Sequence, residues 1–190
     1  MKKSVAAYWV FAVSFALVFN VLIAEAKAQL LDRSLSFRDL ALQLQTPEAV
    51  AHYMWRHFDF ESDQTQFGEE ERWQSPEEFL ETRKGDCEDF ALFAQNILKM
   101  NGIPSYLVNI YSHRFSHTVC VFKEHDKFNV IDGTRVIRYE AESLDELMLK
   151  IDPFWNQGAL VAPSQETHQG KILAQFDRLA KAHHRLTTSA

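Results

Sequence analysis

Hydrophobic and polar positions along this chain fall into three regimes. Behind Lys2 and Lys3, Ser4 to Ile23 are almost wholly apolar, and Ala24-Glu25-Ala26-Lys27-Ala28 follows with two small-x-small sites. This is the pattern of a targeting segment over residues 1–28, with a mature chain starting at or near Gln29. The alternative is an uncleaved N-terminal anchor, because the run approaches the roughly 20 residues that a spanning helix needs. In either case the domain is expected outside the cytoplasm, periplasmic or secreted, with no membrane insertion once the segment is cleaved. No cysteine follows the apolar run, so a lipid anchor is not expected.

The second regime has helical spacing. Residues 29–72 read as an N-terminal helical segment, in which Thr46-Pro47 supplies a capping hydroxyl and a first-turn proline before Val50, Tyr53, Met54 and His57. His57 reads as an ordinary helix residue, and Glu61 to Arg72 as a polar surface loop. Ser75-Pro76-Glu77-Glu78 is a capping-box start, and the short helix behind it ends at Gly85. Asp86 can cap a second helix with Phe90, Ala91, Ala94, Ile97 and Leu98 on one face, ending at Asn101-Gly102. Cys87 then lies in its first turn.

Beyond Pro104 the period becomes extended. Residues 106–111, 117–123, 127–131 and 134–139 are rich in Val, Ile, Phe and Tyr and separated by polar turns, which predicts a small antiparallel sheet. After it, residues 141–190 read as C-terminal helices, a short one over 143–151 and a longer one over 165–185 with Ile172, Leu173, Phe176, Leu179 and Ala180 on one stripe. The fold class is α+β, with the core over residues 73–140.

With 46% hydrophobic and 24% charged residues, 190 residues suit one globular domain with a substantial core, expected to be a monomer. The charge of -6 is spread along the chain and no basic cluster interleaves with aromatics, which argues against a nucleic-acid partner. Fifteen Phe and four Trp read as core. Two cysteines are too few for a disulfide scaffold.

Candidate chemistry sits at three points: Cys87 in GDCEDFA, His117 opening HTVCVF and Asp132 closing NVIDG. A helix N-terminus favours a thiolate, whereas Asp86, Glu88 and Asp89 oppose one, so a histidine partner is required. If the turn after Lys123 or Glu124 has two residues, the numbers of opposed residues sum to an odd value, and His117 and Asp132 share a face. The same alternation puts Cys120 on the other face, as a buried structural thiol and a poor disulfide partner for Cys87. Nucleophile, base and orienting carboxylate would make a nucleophilic hydrolase or acyl transferase.

GDCEDFA, NGIPSYLV, SHTVCVF and NVIDG together resemble the bacterial branch of the transglutaminase-like cysteine peptidase superfamily, over roughly Trp73 to Gly133. The resemblance implies a papain-like core, with a cysteine-bearing helix packed on an antiparallel sheet. It makes Cys87 the nucleophile, His117 the general base and Asp132 its partner. Glu88 stands where animal transglutaminases have Trp after the cysteine, so hydrolysis of a peptide or amide bond in a protein or peptide substrate is expected rather than amine transfer. No cofactor is required, although periplasmic relatives sharing DCED bind calcium there, which makes Asp86, Glu88 and Asp89 candidate ligands. Capping a helix would explain the same carboxylates. For the oxyanion the Cys87 amide is the first donor, with Trp73 or Gln74 as a candidate side chain. The competing expectation is a catalytically silent member that binds a peptide or cell-envelope partner.

Overall fold

The computed structural model describes residues 35–113, 116–164 and 168–178. The expected targeting segment at 1–28 lies outside them. Every element below belongs to the unit that begins at Phe37. Among the described residues no helix is long and apolar enough to cross a membrane.

Helices α1 (Phe37–Gln43) and α2 (Pro47–His57) open the unit, and Thr46 caps α2 by accepting the Ala49 amide at 3.2 Å. A two-residue strand β1 (Asp59–Phe60) and a short helix α3 (Asp63–Gln66) follow, the strand just before and the helix within the stretch expected to be loop. Helix α4 (Pro76–Thr82) starts as its capping residues predict, with Ser75 Oγ accepting the Glu78 amide at 3.1 Å. Arg83 ends it in the left-handed region, φ 60°, and strand β2 (Lys84–Gly85) leads straight into helix α5 (Cys87–Met100) with Asp86 as N-cap.

Strands β3 (Ser105–Ser112), β4 (Ser116–Glu124), β5 (Lys127–Asp132) and β6 (Arg135–Ala141) come next, then helix α6 (Leu144–Ile151) and strands β7 (Trp155–Pro163) and β8 (Gly170–Asp177). The six long strands form one sheet in the order β6-β5-β4-β3-β7-β8, antiparallel throughout. Strands β4 and β5 are joined by His125 and Asp126, both at positive φ, in the two-residue turn that suits the strand twist. Opposed residues such as Cys120 and Ile131 sum to an odd number, as expected.

That register sorts the core. Val108, Ile110, Val119, Val121 and Val130 share one face and pack with Leu147, Met148 and Trp155. The alternate residues Leu107, Cys120, Phe122 and Ile131 are equally buried, and by the strand period they point to the other face. Helix α5 is buried nearly all round, with Phe90, Leu92, Phe93, Ala94, Ile97 and Leu98 each at 3% exposure or less. Phe93 meets Phe37, Phe58 and Phe79 edge-on at centroid distances of 5.4, 4.9 and 5.8 Å. Each such pair contributes roughly 0.5–1.5 kcal/mol beyond its area, so this aromatic cluster pins α5 and the residues at its start.

The C-terminal region departs from expectation. Within the helix expected at 165–185, Gly170–Asp177 form the edge strand β8, paired with β7, which was not foreseen as a strand. The spacing of Ile172, Leu173 and Phe176 fits a helix. As an outer strand exposed along nearly its whole length, however, β8 has no buried face to impose a period of two. Pairing with β7 overrides the local pattern. Residues 165–167 and 179–185 of the expected helix fall outside the described residues.

Candidate active site

Cys87 owes its position to the residues before it. Strands β1 and β2 pair in parallel, Asp59 opposite Lys84 and Phe60 opposite Gly85, with the Asp59 amide donating to Arg83 O and the Glu61 amide to Gly85 O, both at 2.9 Å. Gly85 is required there because a Cβ would collide with the Asp89 carboxylate and the Gln74 amide. Asp89 accepts the Gln74 amide at 2.8 Å, Gln74 Nε2 at 2.7 Å and the Asp86 amide at 3.3 Å. It therefore organises the turn from which the cysteine emerges.

On the sheet, His117 Nε2 lies 2.7 Å from Asp132 Oδ1. The two residues share a face, as the register required. With Nε2–H donated to the carboxylate, Nδ1 becomes the basic ring nitrogen, the tautomer a general base needs. The hairpin also explains how the thiol reaches this rim. The closing pair Glu124 and Lys127 of a two-residue turn is hydrogen bonded, so even-numbered residues of β4 aim their amides at β5. The β4–β5 pairing stops at Cys120 opposite Ile131. Beyond that point the Thr118 amide faces the Cys87 sulfur, where it favours the thiolate. Cys87, His117 and Asp132 line one cleft of about 400 Å³.

The thiol is nonetheless held protonated. Burial pushes its pKa far up, and the Glu88 charge adds to this, with Sγ donating to Glu88 Oε2 at 3.2 Å. Glu88 is itself pushed well up by burial and by Asp86. Asp89 rises to about 7 and Asp63 to about 6, both chiefly through burial. Asp63, Asp86 and Asp89 bring carboxylate oxygens within 4.8 Å of one another, as Asp86 and Glu88 do with the Cys87 sulfur. Asp63 Oδ1, Asp86 Oδ1 and Glu88 Oε1 are buried without a hydrogen-bond partner. Hard oxygens with unused lone pairs fit a cation such as calcium. Asp86, Glu88 and Asp89 were candidates from the sequence; Asp63, 1% exposed within a stretch expected to be surface loop, was not.

The candidate oxyanion side chains face elsewhere. Gln74 is 1% exposed and spends Nε2 on Asp89 and on Lys84 O, while its Oε1 accepts from Thr82. Trp73 donates its indole N–H to Glu71 at 2.7 Å and packs under Gly170, where a Cβ would lie 2.6 Å from Cζ2 of its ring. Neither lines the cleft. The Cys87 amide, at the first helical position, has no intrahelical acceptor and remains the candidate donor. Cys120 is a fully buried free thiol.

The remaining lining comprises Trp55, Phe58, Asp59, Phe60, Phe90, Gly133 and Thr134. Reading all aromatics as core missed Trp55 and Phe60. Trp55 does fall outside the stripe of Val50, Tyr53, Met54 and His57, and that phase offset was the available signal.

A family model described as a transglutaminase-like domain matches residues 29–146. Among solved structures, LapG of Legionella pneumophila matches at 25% identity and TM-score 0.41, over 50% of this chain and 56% of that one. Calcium-bound LapG from the same organism matches at 19% identity and TM-score 0.45, over 76% of this chain and 80% of that one. A candidate cysteine protease from Cytophaga hutchinsonii matches at 17% identity and TM-score 0.41, over 52% of this chain and 36% of that one. No curated protein sequence matches significantly.

Proposed function

Since this chain belongs to the transglutaminase-like domain family, we propose that it is an exported thiol hydrolase of the bacterial cysteine-peptidase type, cleaving peptide or amide bonds through an acyl-enzyme. The observation that carries this reading is the 2.7 Å His117–Asp132 bond in the cleft that also holds Cys87. His117 takes the thiol proton at Nδ1, and the sulfur attacks the substrate carbonyl carbon. The Cys87 amide donates to the oxygen as it becomes negative. Collapse breaks the carbon–nitrogen bond, and the imidazolium returns its proton to the departing amine. Water, deprotonated by His117, then hydrolyses the thioester and frees the thiol. Throughout, Asp132 holds the tautomer and stabilises the imidazolium.

Calcium fits the carboxylates beneath the thiol, where Asp63, Asp86 and Glu88 would hold it. When bound, it would offset the negative charge that, on top of burial, keeps Cys87 protonated. The enzyme is proposed to work outside the cytoplasm as a monomer on protein or peptide substrates.

A second reading, a silent binding module, draws support from the buried thiol bonded to Glu88. Active-site alkylation with and without calcium separates the two. Loss of labelling in His117→Ala supports the hydrolase; a Cys87 inert in both conditions sinks it.

A further inference from the structure

Four aromatic residues line the candidate cleft, and two of them are exposed to an extent their size makes costly. Trp55 is 65% and Phe60 72% exposed, over a floor made by Phe58 and Phe90 at 6% and 3%. Exposed aromatics grouped beside a candidate nucleophile are what an apolar recognition site presents before its ligand arrives. Phe60 is also held firmly, because β1 is hydrogen bonded to β2, two residues before Cys87. Trp55 projects from the last turn and a half of α2, anchored through buried Val50, Met54 and Tyr53. Both side chains therefore project from backbone that is fixed relative to the start of the cysteine's helix. Among the described residues the lining carries the carboxylates of Asp59 and of Asp132, already paired with His117, and no Lys or Arg, so an acidic substrate side chain is disfavoured here.

Resting on the hydrolase reading above, we propose that Trp55 and Phe60 form the specificity subsite of this cleft, taking a large apolar side chain, aromatic or aliphatic, on the acyl side of the scissile bond. The side follows from the chemistry. His117 must protonate the departing amine, so the leaving half lies toward His117, Gly133 and Thr134. The acyl half then lies against the wall that adjoins Cys87's own segment, where the aromatics are. The substrate class is an extended polypeptide with a Phe- or Leu-like residue within two positions of the attacked carbonyl. Transfer of such a side chain from water onto two exposed rings favours it over alanine by on the order of tenfold to a hundredfold.

The test uses peptidyl acyloxymethyl ketones carrying Phe, Leu, Ala, Lys or Asp at the first or second position on the acyl side, with Cys87 alkylation rates read by intact mass. Iodoacetamide serves as a probe without a side chain. The expected order is Phe and Leu above Ala, with Asp lowest. Trp55→Ala and Phe60→Ala should each reduce the Phe-to-Ala rate ratio severalfold, whereas Leu42→Ala, an exposed residue outside the cleft, should keep it. A Cys87 that reacts with iodoacetamide and shows no side-chain preference overturns the subsite and leaves the hydrolase reading standing. A Lys probe faster than Phe overturns it as well, in favour of a cation on the rings. If Cys87 resists every electrophile, the hydrolase reading fails, and titration of Phe- and Ala-containing peptide amides decides the subsite. Phe-selective binding weakened by Trp55→Ala then supports it as a peptide site, and equal binding overturns it. Self-association abolished by Trp55→Ala would assign the patch to a second copy of the chain and overturn the proposal.

Discussion

The rim of the sheet and the turn beneath Cys87 are two polar sites that both border the thiol, built on opposite principles. At the rim, His117 and Asp132 satisfy each other across neighbouring strands whose register is set by a two-residue turn. Beneath the thiol, Asp63, Asp86 and Glu88 each keep a buried oxygen without a partner, and burial raises the pKa of Asp63 and Glu88. The first site is preorganised and should be insensitive to additives. The second lacks a counter-charge, and its state sets that of the thiol beside it. A nucleophile placed between them can be aligned and still be switched by what the lower site holds.

The strongest way to break this comparison is to remove the charge at the rim while keeping its shape. Asp132→Asn should lower turnover by on the order of tenfold to a thousandfold, with thermal melting little changed, whereas Asp126→Asn in the hairpin turn should alter neither. Wild-type turnover in Asp132→Asn would reduce Asp132 to a turn residue. Next in size is the contrast between the two thiols. Brief iodoacetamide treatment of the folded protein should modify Cys87 at least about tenfold faster than fully buried Cys120, as peptide mapping would show. Preferential labelling of Cys120, or a bridge between the two, would contradict the placement of both.

The lower site is sharpened by pH. Asp89 and Asp63 titrate in the folded chain near 7 and 6, above the usual value of about 3.9 for an unfolded aspartate. Their protonated forms favour folding; this contribution is full below about pH 4 and is lost as pH rises through 6 to 7. The metal-free protein should therefore melt several degrees lower at pH 8 than at pH 5.5. Calcium at pH 8 should raise the melting temperature, and Asp63→Asn should weaken that response. A melting temperature indifferent to calcium at pH 8 would leave the carboxylates as caps. The smallest effect lies far from both sites: Arg138, which bonds to Glu48 and Glu124 on the surface, should cost less than about 1 kcal/mol as Arg138→Ala in denaturant titration.

How far the sequence could be read follows from where each signal resides. Caps at Thr46 and Ser75 act within a few residues, and both accept the expected amides. The His117–Asp132 relation was legible because a two-residue turn and a period of two leave one parity. Asp63 was not, since it reaches Asp86 and Asp89 only through tertiary folding across more than twenty residues, and nothing in its polar neighbourhood marks it as buried. Trp73 and Gln74 stood at a suitable distance upstream, but their hydrogen bonds are spent on Glu71, Asp89 and Lys84. Strand β8 was misread because exposure on both faces removes the alternation that identifies a strand.

That last hairpin bears on where this domain can be cut. The family match stops at residue 146, inside α6, yet β7 pairs along β3 and β8 closes the sheet beyond it. His168 O accepts the Trp73 amide at 2.8 Å, and Gly170 lies against the Trp73 ring, one residue from the Gln74 that grips Asp89. A chain ended at the homology boundary would bare the β3 edge and remove the brace behind the cysteine's turn. The matched stretch and the unit of folding differ here by some thirty residues, and any excision, fusion or transplantation of this module has to respect the longer one.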